Sequence, residues 1–221
     1  MTRDTIRTIT LVLLIGLGLI ARGHPARAAD SQVLTVAGGC FWCVEADFES
    51  VPGVLGVVSG YTGGTLKNPS YKQVSAGGTG HYEAVQIRFD PARVSRAQLL
   101  HMFFRSVDPT DAGGQFCDRG DSYRTAIFVS GKAERAEAQA AKAEAQGALK
   151  QSVVTPILPA GRFYPAEDYH QDYYKGTNLV ITRAGPKRQS SAYNFYRKSC
   201  GRDQRVRQLW GGEAPFAGKH S

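Results

Sequence analysis

The feature that most constrains the fold is a strand-type run that ends at two glycines and continues directly as a helix-type segment. Residues 33–37 (VLTVA) are β-prone, and the run stops at Gly38-Gly39. From residue 40 to residue 50 the apolar side chains recur at helical spacing, until Pro52-Gly53 ends the segment. This pattern predicts that Cys40 lies where a strand turns into a helix, near the helix N-terminus.

Strand-type and helix-type segments continue to alternate as far as residue 174. Strands are predicted at 54–61, 82–89, 124–129 and 153–158, and helices at 97–105 after a Ser95 cap, at 133–149 and, as a short element, within 164–174. Long loops interrupt both halves, and no internal repeat is visible. The predicted fold class is α+β: a single-domain α/β sandwich with a ferredoxin-like core. From Gly176 onward the pattern fades, which predicts a long, loop-rich C-terminal tail.

Residues 1–28 have the pattern of a secretory signal peptide. Arg3 and Arg7 precede an uncharged apolar run over 9–20, and a segment of mostly small residues follows. This pattern predicts export with cleavage after Ala28. The alternative is an uncleaved anchor, although a membrane span usually needs about 20 apolar residues. Either way, the main domain (29–175) and the tail (176–221) are expected to be periplasmic or secreted, in an oxidising environment.

The charge distribution argues against nucleic-acid binding. The whole chain has a formal net charge of +8, to which residues 1–28 contribute four arginines and one aspartate, so the rest carries +5. The excess lies late in the chain, but it is mixed with acids and accompanied by no RNA- or DNA-binding motif. A solvated face is therefore predicted for the basic side chains of the tail: Lys187, Arg188, Arg197, Lys198, Arg202, Arg205 and Arg207.

The chain has four cysteines: Cys40, Cys43, Cys117 and Cys200. In an exported protein this number favours two structural disulfides, for which three pairings exist. Cys40 differs from the others because it lies at the predicted helix start. There, unpaired backbone N–H groups and the helix dipole would stabilise a thiolate. Cys40 is therefore predicted to be the reactive thiol.

Cys40 and Cys43 also form a Cys-x-x-Cys pair, which leaves other interpretations open. Zinc binding is disfavoured because no second pair has ligand spacing and His81, His101 and His170 are scattered, so no metal is expected. A Cys-x-x-Cys thiol-disulfide oxidoreductase of the cell envelope is a stronger alternative. A small exported domain with two structural disulfides and no enzymatic activity is the third.

Several longer motifs resemble those of the A-type peptide methionine sulfoxide reductases. Gly39-Cys40-Phe41-Trp42, followed by Glu45, is similar to the family signature. Further matching segments, in family order, extend the resemblance over residues 33–175: Gly60-Tyr61-Thr62-Gly63-Gly64, Asn68-Pro69-Ser70-Tyr71, Gly80-His81-Tyr82-Glu83-Ala84-Val85, Phe89-Asp90-Pro91, Asp108-Pro109-Thr110, Tyr123-Arg124, Tyr164, and Ala166-Glu167-Asp168-Tyr169-His170-Gln171. A single tetrapeptide would be weak evidence, whereas an ordered series of segments is specific.

The resemblance implies a repair enzyme that reduces the S epimer of methionine sulfoxide, free or in proteins. Cys40 would be the nucleophile and would become a sulfenic acid. The sulfoxide oxygen leaves readily only when protonated, and Glu83 matches the family's acid. A mostly buried Glu83 would keep its proton near neutral pH, because desolvation penalises the charged form. Without the motif, Glu83 would be interpreted as a surface strand residue.

The resemblance also implies the rest of the site. Tyr71 and Tyr123 match two phenols that donate hydrogen bonds to the sulfoxide oxygen, a role that suits neutral donors. Asp118 matches a carboxylate in the same pocket. An aromatic cleft is expected to bind the substrate, with the contributing residues Phe41, Trp42 and Tyr173. For Phe41, a plain core position is the alternative.

A nearby thiol would convert the sulfenic acid into a disulfide. Family members usually draw this resolving thiol from a mobile C-terminal segment, so Cys200, followed by Gly201, is the predicted resolving residue; Cys43 and Cys117 are alternatives. A thioredoxin-like donor would then reduce the Cys40–Cys200 disulfide. The other interpretation of Cys200 is a permanent disulfide with Cys43 or Cys117. We expect no bound cofactor, no nucleic acid and no stable membrane insertion after signal cleavage, and the family implies a monomer.

The chain departs from the family pattern around this site. Cys43 stands where most relatives have Gly, Cys117 precedes Asp118 where a polar residue is expected, and Asp121-Ser122 replace Thr-Gln. The tail over 202–210 also differs from the Gly-rich ends common in the family. Cys43 could resolve Cys40 directly only if the helical turn opened, and Cys117 could serve as a second relay thiol.

Overall fold

The computed structural model describes residues 31–219. Ten strands occur in this part of the chain: β1 (Gln32–Gly38), β2 (Val54–Thr62), β3 (Tyr82–Phe89), β4 (Gly114–Gln115), β5 (Asp118–Arg119), β6 (Thr125–Val129), β7 (Ile157–Pro159), β8 (Tyr164–Pro165), β9 (Leu179–Thr182) and β10 (Gly185–Arg188). The α-helices are α1 (Phe41–Glu49), α2 (Tyr71–Ser75), α3 (Arg96–Phe104), α4 (Lys132–Leu149), α5 (Gln189–Ser199) and α6 (Arg202–Trp210). Short 3₁₀ turns lie between them, including Asp121–Tyr123, Asp168–His170 and Tyr173–Lys175.

The main sheet has six strands in the order β7-β6-β1-β3-β2-β8. All neighbouring strands are antiparallel except β6 and β7, which run parallel. The segment β1-α1-β2-β3-α3-β6 therefore forms a βαββαβ unit with the strand order β6-β1-β3-β2, which is the ferredoxin-like arrangement. The α+β class and the ferredoxin-like core predicted from the sequence are confirmed.

The core lies between this sheet and its helices. In the sheet centre, Leu34 pairs with Ile87 and Val36 with Val85, and all four side chains are buried. Helix α3 covers them with apolar residues that are fully buried: Leu99, Leu100, Phe103 and Phe104. Each such side chain contributes about 1.5–3 kcal/mol by leaving water. This packing holds β1, and hence the strand–helix junction at its end, in a fixed position.

Two predicted elements differ from those in the structure. The strand predicted at 153–158 forms only at Ile157–Pro159, where pairing with β6 begins opposite Ile127. Before it, the backbone is held by side chains instead, because Lys142 Nζ donates to the Thr155 carbonyl at 2.7 Å. The short helix predicted within 164–174 is replaced by β8 and two 3₁₀ turns.

The prediction of a loop-rich tail is wrong. Residues 176–219 form the β9–β10 hairpin and two helices, and they belong to the same compact unit as the sheet. Helix α5 buries Ala192 and Tyr193, and α6 buries Val206 and Trp210. Val206 and Trp210 lie four positions apart, on one face of α6, and Ala192 and Tyr193 share the buried face of α5 with Gln189 and Arg197.

The predicted solvated basic face is wrong for two of its arginines. Arg197 and Arg202 are only 4% and 2% exposed. Their burial is possible because Asp47 of α1 is also buried, with an Oδ1–Nη1 distance of 2.9 Å to Arg197 and an Oδ2–Nε distance of 3.8 Å to Arg202. A buried charge needs such a partner. These ion pairs tie the tail to the helix that begins at Cys40.

The predicted signal peptide at 1–28, and the anchor that is its alternative, lie outside the described residues. Within residues 31–219, no helix is long and apolar enough to cross a membrane.

Candidate active site

Cys40 lies at the junction of β1 and α1, as the sequence pattern indicates. It is the N-cap residue of α1, and its carbonyl oxygen accepts hydrogen bonds from the N–H groups of Cys43 and Val44 at 3.1 and 3.4 Å. The turn requires Gly39, whose φ is +80° and where a Cβ would lie 2.6 Å from Cβ of Gln115. The double glycine therefore permits the chain to turn sharply against the Gln115 side chain.

The four cysteines form one disulfide and one free pair. Cys117 and Cys200 are bonded, with a Cα–Cα distance of 4.9 Å, while Cys40 and Cys43 are free. The chain therefore does not form the two structural disulfides that the cysteine count favours. The predicted resolving residue Cys200 is bonded to Cys117 in this state rather than to Cys40.

Cys40 and Cys43 share a hydrogen bond that determines which thiol carries charge. This bond and burial raise the pKa of Cys40 well above its ordinary value. The same bond lowers the pKa of Cys43 to about 7, with further help from the positive charges of Arg202 and Arg197. The reduced pair therefore favours the thiolate on Cys43, mainly through its hydrogen bond with Cys40 and in addition through the charges of Arg202 and Arg197. That Cys40 is the reactive thiol stays a prediction.

Glu83 points from β3 to the start of α1. Its side chain is 1% exposed, and Oε2 accepts a hydrogen bond from the Phe41 N–H at 3.1 Å. Burial raises its pKa to about 8, although the Phe41 hydrogen bond works in the opposite direction. The interpretation of Glu83 as a surface strand residue is therefore wrong, and the carboxyl group is mainly protonated near neutral pH.

Tyr71 and Tyr123 approach the same position from two loops. Tyr71 begins α2. Its backbone N–H donates to Oε1 of Glu167 at 2.9 Å, which fixes the position of the backbone that carries the phenol ring. Tyr123 ends the 3₁₀ turn that precedes β6. Burial and the nearby charge of Glu83 raise the pKa of both phenols, so both remain neutral hydrogen-bond donors.

Asp118 lies beside the Cys117–Cys200 disulfide. It begins β5, the second strand of a tight hairpin whose two-residue loop is Phe116-Cys117. Burial raises the pKa of Asp118, and the charge of Arg202 opposes this shift. The hairpin thus carries a carboxyl group and a disulfide sulfur to the same wall of the site.

Aromatic side chains form the opposite wall. Trp42 stacks on Tyr173 with ring centroids 3.7 Å apart and planes inclined by 6°. Phe41 is 1% exposed and packs against Tyr61 and Tyr71, with centroid distances of 5.9 and 6.3 Å. Phe41 is therefore part of the core as well as of the site wall, while the half-buried Trp42, stacked on the buried Tyr173, offers a flat apolar surface.

His170 is a site residue that the sequence interpretation did not select. Its Nδ1 accepts a hydrogen bond from the Trp42 indole N–H at 3.1 Å, and its ring lies 4.4 Å from that of Tyr71. Burial lowers its pKa to about 4, so it is neutral and carries its proton on Nε2. His170 thereby fixes the orientation of Trp42. Its place in the motif around Glu167 was the available signal.

One cavity of about 450 Å³ brings these groups together. Its lining includes all four cysteines, and the other predicted site residues that line it are Phe41, Trp42, Tyr71, Glu83, Asp118, Tyr123 and Tyr173. Arg197 and Arg202 also line it, although the sequence interpretation placed them on a solvated surface. The cavity therefore combines a thiol pair, a protonated acid, two neutral phenols and an aromatic wall.

The sequence pattern that defines the family described as "Peptide methionine sulfoxide reductase" matches residues 32–211. The chain belongs to this family. An MsrA 2 protein of Rhizobium meliloti is 48% identical over 194 residues, which cover 88% of this chain and 90% of that protein. An MsrA 2 protein of Caulobacter vibrioides is 47% identical over 208 residues, covering 93% of this chain and all of that protein. The chain is thus an oxidoreductase with relatives of matching length.

Two solved structures agree with the fold. Mxr1 from Saccharomyces cerevisiae in reduced form has a TM-score of 0.63 and 31% identity, and the match covers 70% of this chain and 88% of Mxr1. Methionine sulfoxide reductase A of Corynebacterium diphtheriae has a TM-score of 0.59 and 31% identity, covering 70% of this chain and 76% of that protein. The second of these proteins is by its name a methionine sulfoxide reductase A, as the motifs around Cys40 imply for this chain.

Proposed function

We propose that this protein is a peptide-methionine (S)-S-oxide reductase in which Cys40 attacks the sulfoxide sulfur. The observation that carries the proposal is the buried Glu83 carboxyl group, protonated near neutral pH and hydrogen-bonded to the first N–H of the helix that Cys40 caps. A protonated acid beside a thiol, with the phenols of Tyr71 and Tyr123, suits a reaction in which a neutral S=O group gains a proton.

The chemical step follows from these groups. The Cys40 sulfur attacks the sulfoxide sulfur while its proton passes to the Cys43 thiolate, and Glu83 protonates the sulfoxide oxygen. Transfer of that oxygen to the Cys40 sulfur leaves a Cys40 sulfenic acid and a thioether. The sulfoxide is reduced by two electrons, and Cys40 is oxidised by two.

We infer that the oxidation then moves outward through the other two cysteines. Cys200 attacks the Cys40 sulfenic acid, which forms the Cys40–Cys200 disulfide and releases water. Cys117 attacks the Cys200 sulfur, frees Cys40 as a thiol and leaves the Cys117–Cys200 disulfide. Cys40 is half-buried, whereas Cys117 is exposed at the tip of the β4–β5 hairpin. An external protein can therefore reach the second disulfide.

The reductant in this proposal is a thioredoxin-like dithiol protein, with no bound cofactor. Its thiolate would attack the exposed Cys117 sulfur, and its second thiol would complete the two-electron reduction. A buried Cys40–Cys43 disulfide would lack such access, since Cys43 is 7% exposed. This difference in access favours the Cys117–Cys200 disulfide over a Cys40–Cys43 disulfide as the bond that the donor reduces.

Single-turnover assays on a methionine S-sulfoxide peptide test this function. Cys40→Ser is expected to abolish reduction. Cys43→Ser is expected to retain one turnover because the sulfoxide-reducing thiol remains, but at a lower rate because the thiolate that accepts the Cys40 proton is lost. Cys117→Ser should accumulate the Cys40–Cys200 disulfide, identified by peptide mapping. Activity in Cys40→Ser would refute the nucleophile. A Cys40–Cys43 disulfide in Cys117→Ser would refute the regeneration route and support a Cys-x-x-Cys mechanism.

We also propose that the enzyme acts in the cell envelope after removal of residues 1–28. The proposal is supported by the basic, apolar and small-residue order of that segment. Intact mass measurement of the protein recovered from cells tests it. A chain beginning at Ala29 is expected, and a full-length chain in the membrane fraction would support the anchor instead.

A further inference from the structure

The β9–β10 hairpin carries an unusual apolar surface. Leu179 and Ile181 are 72% and 81% exposed, more than any other large hydrophobic side chain in the described part of the chain. A single exposed apolar residue is ordinary. These two, however, are two positions apart on β9, so both point to the same face of the hairpin.

The register of the hairpin extends this surface to the second strand. Ile181 pairs with Pro186, and Leu179 pairs with Arg188. Pro186 and Arg188 are exposed like their partners. We call Leu179, Ile181 and Pro186 together the hairpin face; Arg188 lies at its edge.

The other side of β9 is anchored to the protein, so the hairpin presents this face in a defined place. Val180 packs in a cluster with Cys43, Tyr173 and Tyr193. Thr182 is buried, and its Oγ1 donates to the Gly185 carbonyl at 2.6 Å across the turn. The alternation along β9 therefore directs one set of side chains toward α1 and leaves the other set in solvent.

The hairpin face is continuous with the active-site cavity. Ile181, together with Thr182 and Arg183, lines the cavity that contains Cys40 and Glu83. A methionine sulfoxide that belongs to a polypeptide would extend its side chain into this cavity. Its backbone and neighbouring residues would then remain at the opening, where Ile181 is exposed.

We propose that the hairpin face binds apolar residues that flank the oxidised methionine in an extended polypeptide substrate. This inference rests on the proposed reductase function. Methionine is most often buried in folded proteins, and its oxidation to a polar sulfoxide disrupts the cores that contain it. Chain segments exposed in this way carry apolar neighbours. Hydrophobic contact is non-directional, so one such surface accommodates many sequences.

Steady-state kinetics on three probes tests the proposal, with dithiothreitol as the reductant. The probes are a pentapeptide with Val on both sides of methionine S-sulfoxide, the same peptide with Ser in those places, and N-acetyl-methionine S-sulfoxide. For the variant Leu179→Ser/Ile181→Ser, kcat/KM on the Val-flanked peptide should fall about tenfold, through KM, because burial of two apolar side chains is lost. In the single variant Leu179→Ser, which replaces a side chain that does not line the cavity, the values for the other two probes should stay within twofold.

Two further variants make the result specific. Leu55→Ser removes a side chain that is 44% exposed on β2, outside the cavity lining, and should leave all three values unchanged. Ile181→Ser alone should give part of the loss on the Val-flanked peptide. Thermal unfolding checks that each variant is folded.

The outcomes separate this proposal from the proposed function. An unchanged Val-flanked value in the double variant would overturn the hairpin face as a binding surface. An equal loss on all three probes would also overturn it, because the hairpin would then only shape the cavity. A wild-type protein that reduces none of the probes would instead refute the reductase function on which the inference depends.

Discussion

The protonation of Glu83 depends on two opposing effects on one carboxyl group. Burial favours the neutral acid, while the hydrogen bond from the Phe41 N–H favours the anion. Burial is the larger effect, but the opposition keeps the pKa near 8 rather than far higher. An acid poised close to the working pH both gives up its proton and recovers it readily. The site therefore needs the N–H of α1 as much as it needs burial.

This balance predicts a pH dependence for the chemical step. The active form needs Glu83 protonated, so the rate should fall as pH rises through about 8. It also needs Cys43 deprotonated, so the rate should fall as pH drops below about 7. Single-turnover rates measured between pH 5.5 and 10 should therefore form a narrow bell, where the ends of this range are about two pH units beyond those pKa values.

Variants of two buried glutamates test the assignment of the upper limb. Glu83→Gln should slow the step by about 10²–10⁴-fold and remove the loss of rate above pH 8. Glu45→Gln is the matched control, because Glu45 is equally buried and its pKa is raised to about 7, but it hydrogen-bonds Ser59 outside the cavity. A Glu83→Gln profile with the same upper limb would contradict the role of Glu83.

Some of these single-residue features were visible in the sequence. The family motif predicts a buried Glu83, and in the structure Glu83 is in phase with Val85, Ile87 and Phe89 on the buried face of β3. Without the motif, the sequence would be interpreted as placing it on the surface. The sharing of a proton between Cys40 and Cys43 was not visible. The hydrogen bond between the two thiols is aided by the charges of Arg197 and Arg202, whose side chains reach the site from helices more than 150 positions further along the chain.

At the level of elements, helices α5 and α6 show why the tail was misinterpreted. The buried face of α5 is made of Ala192, Tyr193 and Arg197, a set with little hydrophobic character in the sequence. Arg197 can be buried on this face because it forms an ion pair with Asp47 of α1. Periodicity identifies a buried helix face when its residues are apolar, but it cannot identify a buried ion pair with a distant partner.

Breaking this ion pair should detach the tail helices from α1. Arg197→Met leaves Asp47 buried without its closest cation, so the free energy of unfolding should fall by about 3–5 kcal/mol. Urea unfolding measures this loss. Arg207→Met, which replaces an exposed arginine of α6, should change stability by about 0.5 kcal/mol or less.

The same variant has an electrostatic consequence at the thiol pair. Because Arg197 helps to lower the pKa of Cys43, its removal should move alkylation of Cys43 by iodoacetamide to higher pH, measured in a Cys40→Ser background. If Arg197→Met were no less stable than Arg207→Met and its alkylation profile did not move, the ion pair would have neither role.

For the molecule as a whole, the cysteines connect three separate parts of the chain. Cys40 and Cys43 belong to α1, Cys117 belongs to the β4–β5 hairpin, and Cys200 follows α5. Exposure increases from Cys43, which is buried, through the half-buried Cys40 and Cys200 to the exposed Cys117. In the proposed mechanism, the fold therefore protects the thiol that meets the substrate and presents the sulfur that meets the reductant. The sequence motifs pointed to Cys40 directly, whereas Cys117, at an atypical position, was only one of the alternatives for a resolving or relay thiol.

The disulfide also links the redox state of the molecule to its stability. Cys117 and Cys200 are 83 positions apart, and a bond that closes a loop of this length restricts the unfolded chain. The oxidised protein should therefore be more stable than the reduced protein by about 2–4 kcal/mol. Urea unfolding with and without dithiothreitol measures the difference. Cys117→Ser/Cys200→Ser should lose the dependence on dithiothreitol, whereas Cys43→Ser should keep it. Equal stability of the oxidised and reduced wild-type protein would show that closing this loop does not constrain the unfolded state. In that case, reduction of the disulfide by the donor would cost no folding free energy.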